Sequence, residues 1–199
     1  MNKPSFVRSR TDHSRPRLFV FTDPDRGLNL AELAITLPAH SAVVYRHFGA
    51  KDRWSIANKI LKICQTRNAI LLIGADPELA QRCGAAGVHV PERMIQQLPH
   101  IKSTYRFRLI SAAAHSVRAA RTALALGADQ VVLSSVFVST SASANVPLGV
   151  CRFALAVKQI NGPVIALGGI HVKNVGKLTG MTQGIALVTA ANPKPLAKI

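Results

Sequence analysis

Small residues follow two apolar segments near the end of the chain, at positions where a backbone can bind an anion. Gly168 and Gly169 follow one segment, and Thr189 and Ala190 follow the other. Loops of this composition expose backbone N–H groups that can hold phosphate without a lysine. The alternative is that the glycines only form a tight turn. Because both loops carry the pattern, we expect them to form a shared phosphate site.

Polar and titratable side chains follow most of the other apolar segments. An imidazole titrates near ~6.5, so His47, His89 and His115 are candidate acids or bases. The alternative for His89 is a core histidine with a satisfied hydrogen bond, and for His115 a packing or capping role at the start of a helix. The remaining candidates are Thr22, Asp23, Tyr45, Arg46, Asp76, Glu92, Ser139 and Ser141.

These residues are positioned by apolar segments that alternate with helical patterns along the chain. Segments that are apolar on both faces are typical of parallel strands, and the helical patterns between them indicate repeated βα units. Eight such units predict an α/β fold, the (β/α)₈ TIM barrel, whose active site lies at the carboxyl ends of the strands. The strands are predicted at residues 17–23, 42–48, 69–74, 87–90, 107–113, 130–137, 163–169 and 184–190.

The two ends of the chain and the segment after the fourth strand depart from this repeat. Residues 1–16 are predicted to form a basic flexible arm, which leaves 17–199 as a single TIM-barrel domain. After the fourth strand only a weak helix is predicted, and it ends near Leu98. Pro193 and Pro195 oppose a helix after the last strand, so the last helix is predicted to be short or missing. A neighbouring subunit of a homo-oligomer, or the arm, would cover that gap.

The chain is strongly basic, with 25 Lys and Arg against 9 Asp and Glu and a net charge of +16. Such a surface either attracts anionic partners or serves solubility. Aromatic residues make up only 5% of the chain, which disfavours nucleic acid as the partner because few rings are available for stacking. Three separate cysteines, no CxxC motif and no apolar signal or membrane-spanning run predict a cytoplasmic protein without a membrane segment.

Seven motifs follow one another along the chain. They are LFVFTD at 18–23, VVYRHF at 43–48, GAAGVHV at 84–90, AAAHS at 112–116, ALGADQVVLSSVF at 125–137, VPLG at 146–149 and PVIALGGI at 163–170. In this order they resemble the thiamine phosphate synthase family and its sister family, the thiazole tautomerases. The resemblance implies a TIM barrel that acts in thiamine biosynthesis as a transferase. A synthase of this family joins a pyrimidine pyrophosphate to a thiazole phosphate and expels pyrophosphate with Mg²⁺.

The resemblance implies roles for the candidate residues. Arg46 matches the family arginine that clamps pyrophosphate, and Ser139 and Ser141 fall in the family's loop after the sixth strand. With His47, these are the candidate catalytic residues. The candidate phosphate-binding residues are Gly168, Gly169, Thr189 and Ala190, the candidate substrate-binding residues are Thr22, Tyr45, His89 and His115, and the candidate Mg²⁺ ligand is Asp76.

The chain departs from the family pattern where the family binds Mg²⁺ and pyrophosphate. Phe48 occupies a lysine position. Gly74 and Ala75 occupy an Asn-Asp position, and Asp76 lies one residue further on. The other departures are Glu92 and Arg93 where an aspartate is expected near Met94, Ala113 for a serine, Ala142 and Ser143 for two lysines, and Ser135 for the tautomerase histidine.

Two readings of this pattern stay open. The first is a thiamine-phosphate-synthase-like enzyme that binds a phosphorylated thiazole, and with it a pyrimidine pyrophosphate, at a degraded Mg²⁺ and pyrophosphate site. The second is a thiazole tautomerase-like protein or a non-catalytic regulatory barrel that binds a phosphorylated ligand. A sugar-phosphate epimerase would usually bring more carboxylates or metal-binding histidines to the strand ends. A basic protein that contacts nucleic acid through residues 1–16 ranks last.

Overall fold

The computed structural model describes residues 15–23, 27–139 and 146–188. Eight parallel strands follow one another in chain order around a closed barrel, and the first strand pairs with the last. This arrangement confirms the predicted (β/α)₈ TIM barrel. The strands are β1 (Leu18–Phe21), β2 (Ala42–Tyr45), β3 (Ile70–Gly74), β4 (Gly87–Val90), β5 (Leu109–Ala114), β6 (Gln130–Leu133), β7 (Val164–Leu167) and β8 (Gly184–Val188).

Helices follow most of the strands, and three of them begin at capping residues that supply acceptors for free backbone N–H groups. Asn29, Asp76 and Ser116 each accept a hydrogen bond from the third residue beyond them, as helix caps do. Short 3₁₀ helices lie after β4, at Glu92–Gln97, and between β7 and β8, at Val175–Leu178. The α-helices are α1 (Leu30–Thr36), α2 (Arg53–Thr66), α3 (Pro77–Cys83), α4 (Leu98–Thr104), α5 (Val117–Ala125) and α6 (Gly149–Ile160).

Several elements differ in length from the prediction. The helix after β4 continues as α4 to Thr104, because Pro99 lies in its first turn, where no backbone N–H is needed. Strand β6 was expected to reach Phe137 but ends at Leu133. The apolar residues beyond it leave the barrel ladder, although Phe137 N–H still donates to Gly168 O at 2.9 Å.

One apolar layer fills the barrel, and a second lies between the barrel and the helices. Successive side chains along each strand point alternately to these two layers. In β2, Val44 packs inside the barrel, whereas Val43 and Tyr45 pack between the barrel and the helices α1 and α2. The barrel interior is filled by Phe19, Phe21, Ala42, Val44, Leu72, Leu109, Val132, Ile165 and Ala186.

The amino-terminal face of the barrel receives the start of the described chain. Arg15 Nη1 donates to Asp129 O at 2.6 Å, and Arg17 Nε donates to Gln183 O at 3.0 Å. The predicted arm, apart from its last two residues, and the predicted last helix lie outside the described residues. Within the described ranges, no helix combines the length and apolar character that a membrane span requires.

Candidate active site at the barrel mouth

Arg46 lies at the carboxyl end of the barrel and is fixed there by Thr22. Its backbone N–H donates to Thr22 Oγ1 at 3.0 Å, and its Nε donates to Thr22 O at 2.8 Å. Its guanidinium carbon lies 5.2 Å from the centroid of the Phe21 ring, inside the barrel. Thr22 is fully buried, so it positions Arg46 and does not contact solvent. The structure thus places a preorganised cation at the mouth.

His89 lies below the mouth, in the core of the barrel, and is only 6% exposed. Its Nδ1 is 2.9 Å from Ser111 Oγ, and its ring meets the edge of Phe21 at 5.0 Å. Burial, with a smaller contribution from the charge of Arg46, lowers the pKa of His89 to about 3. His89 is therefore a neutral, satisfied core histidine at neutral pH, the alternative that its apolar strand had suggested.

His47 and Tyr45 lie on the opposite side of β2 from Arg46. Tyr45 is completely buried in the outer layer, and the His47 ring stacks on it with centroids 5.1 Å apart. Among the described residues, neither Tyr45 Oη nor His47 Nε2 has a hydrogen-bond partner. Burial lowers the pKa of His47 and raises that of Tyr45. The alternation of side chains along β2 thus directs these two candidates away from the barrel interior that Arg46 faces.

Asp76 uses both of its carboxylate oxygens within the protein. Oδ1 accepts from the backbone N–H of Leu79 at 2.9 Å and caps α3, and Oδ2 lies 2.7 Å from Arg53 Nη1. Arg53 also donates to Gly74 O at 3.3 Å and lies between the rings of Tyr45 and Phe48. Mg²⁺ requires near-octahedral oxygen ligands. Asp76, predicted as its ligand, has both oxygens engaged within the protein, and the described residues contain no group of three metal-binding side chains.

We expect Asp76→Ala to lower the free energy of unfolding by ~1–2 kcal/mol, because it removes both a helix cap and the partner of a partly buried arginine. Asp76→Asn is the matched control, since its side-chain oxygen still accepts from Leu79 N–H. Urea denaturation followed by circular dichroism measures both variants. A loss as large in Asp76→Asn as in Asp76→Ala would show that the cap does not contribute.

Glu92 and His115 meet between the ends of β4 and β5. Glu92 Oε2 lies 2.6 Å from the backbone N of His115 and 2.7 Å from its Nδ1. Each side chain is 35% exposed. His115 precedes the α5 cap, Ser116, so the carboxylate also fixes the start of that helix.

The peptide groups after β7 are held in fixed orientations. Gly168 O accepts from Phe137 N–H at 2.9 Å, and Gly169 O accepts from Asn174 Nδ2 at 2.9 Å. A carbonyl and the following N–H of a planar trans peptide point in opposite directions. The amide hydrogens of Gly169 and Ile170 therefore point away from those donors.

Both residues need to be glycine. Gly168 and Gly169 have φ values of +107° and +62°. A side chain on Gly168 would collide with the backbone of Ser135, and one on Gly169 with Val138 O.

The remaining predicted site residues are only partly covered by the structure. Ser139 is described and half-buried after β6, whereas Ser141 lies outside the described residues. Thr189 and Ala190, the expected second half of the phosphate site, also lie outside them. The pairing of the two phosphate loops therefore stays a prediction.

Comparison with known proteins places the chain in a family. A family model described as thiamine monophosphate synthase matches residues 19–191. The chain belongs to this family. The thiamine-phosphate synthase of Marinobacter nauticus is 30% identical over 171 residues, which are 82% of this chain and 77% of that protein. The thiamine-phosphate synthase of Saccharophagus degradans is 27% identical over 174 residues, 83% of this chain and 80% of that protein.

A solved structure supports the fold. The thiamine phosphate pyrophosphorylase of Pyrococcus furiosus superimposes with a TM-score of 0.78 at 21% identity, covering 94% of this chain and 92% of that one. At this identity the likeness establishes the barrel, while membership of the thiamine monophosphate synthase family rests on the sequence match.

Two features of this family member escaped the sequence analysis: the Arg53–Asp76 ion pair and the Glu92–His115 pair. The sequence did contain a signal for Asp76, because an Asp followed by Pro77 and Glu78 is the pattern of a capped helix start. That pattern predicts a carboxylate that caps a helix, and this role involves no metal. No comparable local signal joins Glu92 to His115, since their contact depends on neighbouring strand ends.

Proposed function

We propose that this member of the thiamine monophosphate synthase family binds a phosphorylated thiazole at the carboxyl face of its barrel. The observation that carries the proposal is the pair of peptide groups after β7, whose amide hydrogens point away from Phe137 and Asn174, the residues that hold the two carbonyl groups. Two N–H groups of adjacent peptides form a concave site that suits a phosphate oxygen. Family membership supplies the thiazole as the group attached to that phosphate.

The second anionic group of the family reaction, the pyrophosphate of a pyrimidine substrate, has less support here. Departure of pyrophosphate requires that its developing charge be neutralised. Arg46 is the candidate for this role, but a phenylalanine at position 48 and the ion pair of Asp76 with Arg53 reduce the positive charge and metal ligands available. This favours a barrel that retains ligand binding, with a tautomerase-like or regulatory function as the alternative to transfer.

Isothermal titration of thiazole phosphate into the full chain tests the proposed ligand. We expect heat of binding at millimolar ligand or below, with or without added Mg²⁺. Absence of binding under both conditions would refute the proposed function. Formation of thiamine phosphate from both substrates with Mg²⁺ would establish the transferase, whereas thiazole phosphate binding without product formation would support the alternative.

We expect Arg46→Ala to weaken the binding of inorganic pyrophosphate by roughly tenfold, about 1.4 kcal/mol, because a charge-assisted contact is lost. Arg67→Ala is the matched control. It removes the same side chain from the far end of α2, where Arg67 Nε donates to Leu37 O at 2.9 Å. Titration calorimetry compares the two variants. Equal affinities in both would exclude Arg46 as the pyrophosphate contact.

A further inference from the structure

We propose that Glu92 and His115 form an acid–base dyad at the barrel mouth, with His115 Nε2 as the atom that exchanges a proton with a bound ligand. This proposal rests on the proposed function for the nature of that ligand. The dyad itself stands on the geometry of the two residues.

The two residues are brought together by neighbouring strand ends. Strand β4 ends at Val90 and strand β5 at Ala114, and the two strands pair in parallel register. Glu92 and His115 are the second and the first residues beyond these ends, so both lie at the carboxyl rim where barrel active sites form.

The hydrogen bonds fix the tautomer of His115. An ionised carboxylate only accepts hydrogen bonds, so the 2.7 Å contact between Glu92 Oε2 and His115 Nδ1 places the ring proton on Nδ1. In the neutral imidazole, Nε2 then carries the lone pair. The second bond to the same oxygen, from the backbone N–H of His115, holds the carboxylate in place. A base oriented by a third group in this way is the arrangement of many acid–base centres.

The other histidines with described partners lack this arrangement. His89 is buried and bonds to the hydroxyl of Ser111. His100 pairs with the hydroxyl of Thr104 at 3.4 Å. His171 has the opposite polarity, because its Nδ1 accepts from a backbone N–H at 3.3 Å. His115 combines a carboxylate partner with an exposed ring at the mouth, and it is therefore the histidine suited to proton transfer.

The proton transfer needs no further reactant. His115 Nε2 takes a proton from a carbon of the ligand ring, and the electron pair of that bond stays on the ring as a delocalised anion. The resulting imidazolium, stabilised by Glu92, returns the proton at a different atom. Atoms and charge balance, and the net reaction is the isomerisation of a phosphorylated heterocycle. In the tautomerase-like form of the proposed function, the substrate class is a non-aromatic tautomer of a thiazole phosphate, which gains aromaticity in the product.

A purely structural role for Glu92, as an anchor for the start of α5, makes different predictions. In that case the exposed imidazole has ordinary reactivity, and its replacement changes no chemical step. Three measurements therefore distinguish the two roles. They are the tautomer of the His115 ring, the reactivity of that ring, and the effect of replacing His115 on turnover.

The first experiment uses the wild-type chain without ligand. Long-range nitrogen–proton correlation spectra are expected to show the Nδ1–H tautomer for His115 and the Nε2–H tautomer for His171. Acylation by diethyl pyrocarbonate, mapped by mass spectrometry, is expected to modify His115 several-fold faster than His100, and Glu92→Gln is expected to abolish the difference. An Nε2–H tautomer at His115, or equal acylation rates in the wild type, would overturn the dyad.

The second experiment measures turnover of the non-aromatic thiazole phosphate tautomer by the ultraviolet absorbance of the aromatic product. His115→Gln and Glu92→Gln are each expected to lower the rate by about 10²-fold, within the range of general acid–base catalysis. Their calorimetric affinity for thiazole phosphate should stay within a few-fold of the wild type. His100→Gln, which removes an exposed imidazole from α4, is the control and should retain the full rate.

Loss of binding and loss of the dyad give different results. If the wild type binds no thiazole phosphate, the proposed function fails, although the tautomer and acylation results still test the dyad. If the wild type binds thiazole phosphate but turnover is absent, or is unchanged in His115→Gln, the acid–base role is refuted while the proposed function stands.

Discussion

Replacement of His89 by asparagine is expected to make the folded barrel markedly more resistant to acid. Burial lowers the pKa of His89 to about 3, whereas an unfolded chain would titrate this residue near ~6.5. Between these two values the unfolded state binds the proton and the folded state does not. The free energy of unfolding therefore falls as the pH falls through this range, by ~3 kcal/mol from this residue at pH 4.5.

Asparagine does not titrate in this range, and its amide can still pair with Ser111 Oγ, so the variant separates protonation from the loss of a hydrogen bond. Urea denaturation at pH 7.5 and pH 4.5 measures the effect. The difference in unfolding free energy between the two pH values should be smaller by ~3 kcal/mol in His89→Asn than in the wild type. His100→Asn, at an exposed position, should retain the wild-type difference. The same difference in His89→Asn as in the wild type would contradict a neutral His89.

Some acid sensitivity should persist in His89→Asn. Burial lowers the pKa of His47 as well, so this second histidine also favours the unfolded state at low pH. Its ring is less buried than that of His89, and we expect its contribution to be the smaller one. A double variant, His89→Asn with His47→Asn, should therefore have a flatter pH dependence than either single variant.

Gly87→Ala is expected to destabilise the barrel by ~3 kcal/mol or more, because the added methyl group would enter occupied space. Gly87 pairs with Leu109 at the start of β4. A Cβ atom there would overlap the backbone carbonyl of Leu109, and neither strand can move without breaking the ladder. Thermal and urea unfolding should show a barrel that is barely folded or insoluble.

Gly176→Ala is the matched control for this substitution. Gly176 lies in the 3₁₀ helix before β8, where a Cβ would have no atom within 4 Å. The same methyl group should therefore leave the unfolding free energy within ~0.5 kcal/mol of the wild type, as for most surface changes. A Gly87→Ala chain as stable as Gly176→Ala would show that β4 and β5 adjust more freely than their pairing suggests.

The repeat of apolar strands was readable from the sequence because strands buried on both faces leave a strong, periodic signal. Strand β4 was predicted to the residue, since Gly87 begins it and Pro91 follows its end. Strand β6 was predicted too long, because the apolar residues Val136 and Phe137 continue beyond the point where the chain turns out of the barrel. Hydrophobic residues indicate burial and not strand pairing, and Val136 is buried after β6 without belonging to the strand.

The site was only partly readable. Arg46 and His47 are adjacent in the sequence, and both were predicted to be catalytic residues. The alternation that begins in β2 places them on opposite sides, so Arg46 lies at the mouth and His47 stacks on Tyr45 in the outer layer. The Arg53–Asp76 and Glu92–His115 pairs could not be predicted, because each joins residues 23 positions apart. A side-chain contact across one βα unit can be identified only once the fold shows that the two strand ends are neighbours.

That shared separation has a consequence for how such a barrel can diversify. Arg53 with Asp76, and Glu92 with His115, each link one loop to the next around the rim, and neither link shares a residue with the other. A change in one link alters the chemistry of a single sector while the adjoining sectors keep their shape. Selection can therefore change the residues of one pair and leave the other pair intact, without passing through a barrel that has lost both.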